Sequence, residues 1–248
     1  MTTYIVFGAA KPGIGQAICR RLINDGATVI GTFAEDQSDA AAELRREFPA
    51  LTLQLIDHSS MASLSAFSEN LPVQIDGVVI AQMYFDIRDA FDLAQPEWET
   101  GLAVNITLPH FAALKIGPKI ASGGSLVTIT STEGFIGSFG AAGYAASKAA
   151  VHNLIKTHAN ILGSKNVRVN AIAAGWIGGV MDTDEVFNMS RRITPLGRLG
   201  TPEEIAGVAS FLLGPDASFV TGATIVADGG YTCVDPIAKY EYEAMHKN

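Results

Sequence analysis

The chain has 248 residues, 48% of them apolar and 17% charged, which is enough apolar material for a large core and a length that open α/β domains reach as one unit. A formal net charge of −8, with the lysines and arginines scattered, excludes the basic footprint of a nucleic-acid or anionic-membrane binder. Cys19 and Cys233 sit in no metal or redox spacing and read as buried small residues, and neither a leader peptide nor a bilayer-spanning run is visible, so a cytoplasmic protein is expected.

Short apolar runs then alternate with helical patterns. Thr3–Phe7 is the first strand. Gly13–Asp25 carries Ile14, Ala17, Ile18 and Leu22 at helical spacing, and Gly26 ends it. Ala27–Phe33 is the second strand, Ser38–Phe48 an Ala-rich helix and Leu51–Ile56 the third strand. Further strands are expected at Ile75–Ile80, Ser125–Thr130, Asn166–Ala173 and Thr224–Ala227, with helices at Pro96–Ala121, Gly143–Leu162 and Pro202–Leu213. Strands this apolar need cover on both faces. That implies a seven-stranded parallel sheet, doubly wound, with right-handed crossovers, in a single domain over residues 1–248. Trp176–Thr194 is the least regular stretch and reads as a lid or as a surface excursion.

The first strand runs into Gly8-Ala9-Ala10-Lys11-Pro12-Gly13-Ile14-Gly15 and directly into a helix. Glycines there let the main chain approach a pyrophosphate, and the helix start offers free N–H groups and the positive end of a dipole. Placement at the first strand and first turn lifts the signal above that of a packing turn. Gly8, Lys11, Gly13, Ile14 and Gly15 are therefore candidate dinucleotide contacts. At the end of the second strand, where an acid would hold an adenosine ribose, stands neutral Phe33. With Lys11 it leans towards a 2′-phosphate and NADP(H), while Glu35 two residues on keeps NAD(H) open. Asp57 after the third strand is either an adenine contact or a helix cap ahead of Ser59 and Ser60.

Tyr144-Ala145-Ala146-Ser147-Lys148 puts Tyr and Lys at i and i+4 on one helix face. A phenol near its free pKa of about 10 is a poor base at neutral pH, and an adjacent ammonium should lower it. Such a Tyr can exchange a proton with a substrate oxygen while hydride moves at carbon. Ser131 ends the fifth strand, at the carboxyl edge where open α/β sheets bind ligands.

With these segments the chain resembles the short-chain dehydrogenase/reductase family, most of all its β-ketoacyl-carrier-protein-reductase-like members. The likeness runs from Tyr4 to about Tyr231. It includes Leu102-Ala103-Val104-Asn105, Val127-Thr128-Ile129-Thr130-Ser131, Val169-Asn170-Ala171-Ile172-Ala173-Ala174-Gly175 and the stretch from Thr194 to Tyr231. The resemblance implies a Rossmann fold, a homotetramer, a lid at Trp176–Thr194 and hydride transfer between NAD(P)(H) and a small alcohol or carbonyl substrate. It casts Tyr144 as acid/base, Lys148 as holder of the nicotinamide ribose that lowers the Tyr pKa, and Ser131 as the hydroxyl on the substrate oxygen. Asn105 takes the place of the Asn that anchors a relay water, Gly8, Gly13 and Gly15 those of the pyrophosphate glycines, and Ile177 that of the main-chain contact to the carboxamide. No metal is implied, and the five histidines have no ligand spacing.

Three departures stand out. Four residues separate Gly8 from Gly13, one more than usual in the reductase turn, with Pro12 stiffening it. Ile80-Ala81-Gln82-Met83 replaces Asn-Asn-Ala-Gly after the fourth strand, with Met83 and Tyr84 placed to reshape the substrate side. Gly178 and Gly179 stand near where a Thr is usual, and Ala174 replaces a Pro. Two other classes fit the same fold: a halohydrin dehalogenase-like lyase, against which Lys148 argues, and a silent nucleotide-binding module, against which the intact Asn105, Ser131, Tyr144 and Lys148 argue. Pocket shape is assigned to Met83, Tyr84, Phe135, Trp176 and Val180–Met189. Glu133, close after Ser131, is placed either facing the pocket or, the favoured reading, as a solvated loop carboxylate.

Overall fold

An apolar strand needs cover on both faces, and the first strand shows how this chain provides it. Ile5 and Phe7 project into one cluster of buried side chains and Val6 into another. The computed structural model describes residues 2–87, 94–179 and 182–246. Its strands are β1 (Thr3–Phe7), β2 (Thr28–Phe33), β3 (Thr52–Leu55), β4 (Ile75–Ile80), β5 (Ile120–Ser131), β6 (Arg168–Ala174) and β7 (Thr224–Ala227). They form one parallel sheet in the order β3-β2-β1-β4-β5-β6-β7. The expected seven-stranded doubly wound fold is therefore present.

One cluster sits under α1 (Ile14–Asn24), α2 (Ser38–Glu47) and α8 (Pro202–Leu213), through Ile18 and Leu22, Leu44, and Ile205 and Ala209. The other lies under α3 (Met61–Glu69), α5 (Leu108–Ile116) and α6 (Ala142–Gly163), through Leu64 and Phe67, Leu108 and Ile116, and Val151 and Ile155. Strand order reverses between β1 and β4, so a crevice opens outside their carboxyl ends. Arg168, buried at the start of β6, donates to the Leu212 and Gly214 carbonyls and so caps the carboxyl end of α8.

Several boundaries differ from expectation. The Pro96–Ala121 helix is α4 (Gln95–Leu102), a π segment at Ala103–Thr107 and α5, after which Gly117–Lys119 is a 3-10 turn. β5 starts at Ile120 because Ile120 pairs with Ile75 across a register shift. Asn166 does not open the sixth strand. It holds a left-handed φ of 57° in the turn closing α6. Trp176–Thr194 contains α7 (Asp184–Ile193), and Val180 and Met181 lie outside the described residues. α3 follows the segment where a cap was one reading of Asp57, and a final α9 (Pro236–Met245) was not anticipated. Cys19 is buried as expected, but Cys233 is exposed. Among the described residues no helix is long and apolar enough to cross a membrane.

Candidate active site

The glycine turn sits at the crevice, and its glycines do different jobs. Gly8 has φ 72°, and a Cβ there would lie 2.7 Å from the Gln82 nitrogen, so β1 leaves the sheet pressed against the end of β4. A Cβ on Gly15 would stand 2.0 Å from the Gly8 carbonyl oxygen, which is how tightly α1 doubles back on the strand. Gly13 starts α1 at φ 103° with no side-chain cap, leaving the first-turn N–H groups open to an anion. Gln16 Nε2 donates to the Ala10 carbonyl at 3.0 Å and ties the lengthened turn to its helix.

At the adenosine end the structure places Phe33, Asp57 and Lys11 as follows. The Phe33 ring is buried against α2 among Ala41, Leu44 and Leu53, with the Arg45 guanidinium 5.3 Å above it, so it presents no polar group to a ribose. Strand alternation is the reason: Thr32, not Phe33, faces the turn. Asp57 accepts from the Ser59 amide at 2.8 Å and its hydroxyl at 2.6 Å, which bends the chain into α3. The cap itself is Ser60, which accepts from Ser63 N. Lys11 lies in the cleft with its ammonium pushed down by burial, and Asp36, not Glu35, is the acid whose charge acts on it.

β5 delivers Ser131 to the crevice and the first turns of α6 deliver Tyr144 and Lys148. Lys148 is buried, donates to the Ile129 carbonyl at 3.2 Å and lies 5.3 Å from the centre of the Tyr144 ring. Ser131 Oγ accepts from the Glu133 amide at 3.1 Å, so its own proton is free for Tyr144 or a substrate oxygen. Phe85 meets the Tyr144 ring edge-on at 4.8 Å. A single cleft of about 170 Å³ joins Lys11–Gly15 to Ser131, Tyr144 and Lys148, with Met83, Phe85, Trp176 and Ile177 as apolar walls.

The electrostatics differ from the simple Tyr–Lys expectation. Burial pushes the Tyr144 phenol up to about 12, against a lowering by the Ser131 hydroxyl and with a further raise from Glu133. Burial also pushes the Lys148 ammonium down to about 8, with Lys11 adding like-charge repulsion. A dry site disfavours both charged forms, and Lys148 is not among the groups that lower the phenol. Glu133 is half-buried in the cleft wall with its own pKa raised, not solvated as expected.

Asn105 sits in the π segment, where such irregularities often mark function. Its carboxamide accepts from Tyr84 N at 2.9 Å and donates to Tyr84 O at 2.8 Å. These two bonds tie Asn105 to the Tyr84 main chain in the cleft wall and leave its second N–H and second lone pair uncommitted. Gln82 compensates for the altered segment after β4 by donating to the Val104 carbonyl at 3.3 Å. Met83 and Trp176 do line the cleft, but Tyr84 lines a smaller neighbouring cavity and the Phe135 ring lies tilted against His152 at 4.4 Å. Ile177 bridges Gly200 in parallel, with Gly178 N and Trp176 O making the bonds, which turns the Ile177 amide to the other side. Phe85, Gln82, Thr32 and His58 escaped sequence reasoning. A polar Thr32 near the end of a mostly apolar strand was the signal available for one of them.

An open sheet whose switch point carries a glycine turn, with Ser131, Tyr144 and Lys148 in the same cleft, defines the class of nucleotide-binding doubly wound α/β proteins. The sequence profile described as enoyl-(acyl carrier protein) reductase matches residues 8–232. Galactitol 2-dehydrogenase (L-tagatose-forming) of Cereibacter sphaeroides is 35% identical over 236 residues, covering 90% of this chain and 92% of its own. A 3-oxoacyl-(acyl-carrier-protein) reductase of Chlamydia trachomatis is 34% identical over 239 residues, 92% of this chain and 96% of its own. The crystal structure of BdcA in complex with NADPH superposes with a TM-score of 0.85 at 31% identity, over 92% of this chain and 93% of that one. The chain belongs to the short-chain dehydrogenase/reductase family of oxidoreductases.

Proposed function

We propose that this protein is an NADP(H)-preferring oxidoreductase that interconverts a secondary alcohol and its ketone, with Tyr144 as acid and base. The observation that carries the reading is the joining of the glycine turn with Ser131, Tyr144 and Lys148 in one cleft. The residues fit a dinucleotide. The uncapped start of α1 and the main chain of Gly8, Gly13, Ile14 and Gly15 suit a pyrophosphate, Lys11 a 2′-phosphate, Lys148 the nicotinamide ribose and the Ile177 main chain the carboxamide. The NADPH complex of BdcA supports the same cofactor. When bound, the nicotinamide gives or takes the hydride. Ser131 holds the substrate oxygen with the proton that the Glu133 amide leaves free. Tyr144 gives its phenolic proton to that oxygen in reduction and takes it back in oxidation. Lys148 keeps a positive charge beside the phenol as negative charge develops. The apolar walls of Met83, Phe85 and Trp176 suit a hydrocarbon-framed carbonyl compound. We place the working form as a homotetramer, in which second copies cover exposed apolar side chains such as Phe111, Leu114 and Ile161; sedimentation measures it.

The test is Tyr144→Phe beside wild type, each titrated with NADPH and NADH and assayed for turnover. Turnover should vanish with NADPH binding nearly intact, and NADPH should bind more tightly than NADH. Comparable turnover in the variant would sink the mechanism, and failure of wild type to bind either nucleotide would sink the cofactor reading.

A further inference from the structure

Behind the glycine turn lies a buried polar chain that the proton transfer does not use. Thr32, fully enclosed at the end of β2, holds the turn twice: its carbonyl accepts from the Ala9 amide at 2.8 Å and its hydroxyl oxygen from the Gly8 amide at 3.3 Å. The same oxygen lies 2.9 Å from Nε2 of His58, which is 6% exposed at the end of the β3 connection. Thr32 has one proton to give. Gly8 N–H already takes the oxygen as acceptor, so the hydroxyl proton is satisfied by pointing at an unprotonated Nε2. A neutral His58 with its proton on Nδ1 supplies that acceptor, the one nitrogen or oxygen in hydrogen-bond contact with the Thr32 hydroxyl that can take its proton.

We infer that His58 is a positioning residue for cofactor binding: by accepting the Thr32 hydroxyl proton it fixes the oxygen that holds Gly8, and so sets the main chain of the lengthened pyrophosphate turn. The inference rests on the cofactor reading above for its effect on binding, though not for the brace itself. Gly8 is clamped on two sides, by Thr32 from β2 and by Gln82 from β4, and only the Thr32 side depends on a titratable group. The groups acting on His58 are Asp57 on its own segment, Asp36 after β2 and Lys11 from the turn, with the Phe7 ring of β1 6.5 Å away. Burial outweighs the two acids and holds the imidazole down to about 4, so the acceptor is present through neutral pH.

The experiment compares wild type with His58→Gln, which keeps an acceptor near the Nε2 position, and His58→Leu, which has none. NADPH affinity should fall about five- to tenfold in His58→Leu with kcat nearly unchanged, and His58→Gln should recover most of it. In the cofactor-free proteins Gly8 amide exchange should quicken in His58→Leu and return in His58→Gln, and the ¹⁵N shift of wild-type Nε2 should mark an unprotonated nitrogen. Wild-type affinity and exchange in His58→Leu would overturn the inference. So would equal impairment of both variants, which would assign the effect to ring bulk, or a protonated Nε2 at neutral pH. If wild type itself fails to bind NADPH, the cofactor reading falls, and Gly8 exchange and the Nε2 shift still decide the brace.

Discussion

Lys148 should be a liability to the fold that the chemistry retains. It is 4% exposed, its ammonium is bonded to the Ile129 carbonyl, and no acid is among the groups acting on it. A folded pKa of about 8 against the ordinary 10.5 means that at pH 7 the buried charge costs the fold about 3 kcal/mol. Lys148→Met removes that cost and also loses the Ile129 bond, worth about 1 kcal/mol. The net is a gain of about 2 kcal/mol, or roughly 4–8 °C in Tm for a chain this long. Because folding lowers the pKa, the unfolded chain holds the proton more tightly, and wild-type stability climbs as pH rises through about 8 towards 10.5. The variant's advantage should therefore shrink to a small fraction by pH 10. Urea unfolding of both proteins at pH 7 and pH 10, with turnover measured alongside, provides the check. The variant should be inactive and more stable at pH 7. A less stable Lys148→Met, or an advantage that is the same at both pH values, would refute the reasoning.

Gly15→Ala forces a methyl against the Gly8 carbonyl, backbone on backbone, and should weaken NADPH binding by about 100-fold, as expected for about 3 kcal/mol of overlap. Gly207→Ala, where a Cβ meets nothing within 4 Å, is the control that should bind normally, and equal binding by the two variants would contradict the reading of the turn. Glu133→Gln takes away a charge that holds the Tyr144 phenol up, so the rise of alcohol oxidation with pH, its rising limb, should move to lower pH. An unmoved limb would show that Glu133 does not act on Tyr144. His58, neutral when folded with a pKa of about 4 against 6.5, should cost the fold stability as pH falls from 6.5 towards 4, about 2 kcal/mol by pH 5. His58→Gln should lose less over that range in urea titrations, and an equal loss would refute the assignment.

Fold class was legible because the strands are continuous apolar runs, and such runs have few alternatives to a buried parallel sheet. Ile75–Ile80 was read to the residue. Element ends were less legible where two patterns met without a break. Gly117 and Pro118 sit inside a 3-10 turn that the helical pattern ran through, and β5 begins directly after it at Ile120. α3 is rich in serine and shows little contrast between its faces, so Met61–Glu69 gave no periodic signal. At the site, Ser131, Tyr144 and Lys148 could be placed because their roles depend on strand end and helix spacing, which are local. That the Phe33 ring faces α2 while Thr32 faces the turn turns on one residue of strand alternation, which the run of apolar residues does not fix. The Thr32–His58 contact joins residues 26 apart, and Asn105 and Tyr84 meet over 21, distances that no local pattern encodes.

One physical cause connects the two halves of the cleft. Apolar surroundings hold Tyr144 protonated up to about 12 and leave Lys148 charged only up to about 8. Between neutral pH and 8 the pair therefore rests as a phenol beside an ammonium, the state that gives a proton to a developing alkoxide. Taking a proton from an alcohol needs the opposite state, which burial and Glu133 both oppose. On the proposed mechanism, this resting charge arrangement is the one suited to reduction at neutral pH. If Lys11 takes the 2′-phosphate as proposed, the cofactor end of the cleft matches that direction. The stability given up at Lys148 is concentrated where the chemistry needs a charge in a dry place, and the rest of the sheet, covered on both faces, makes good the loss.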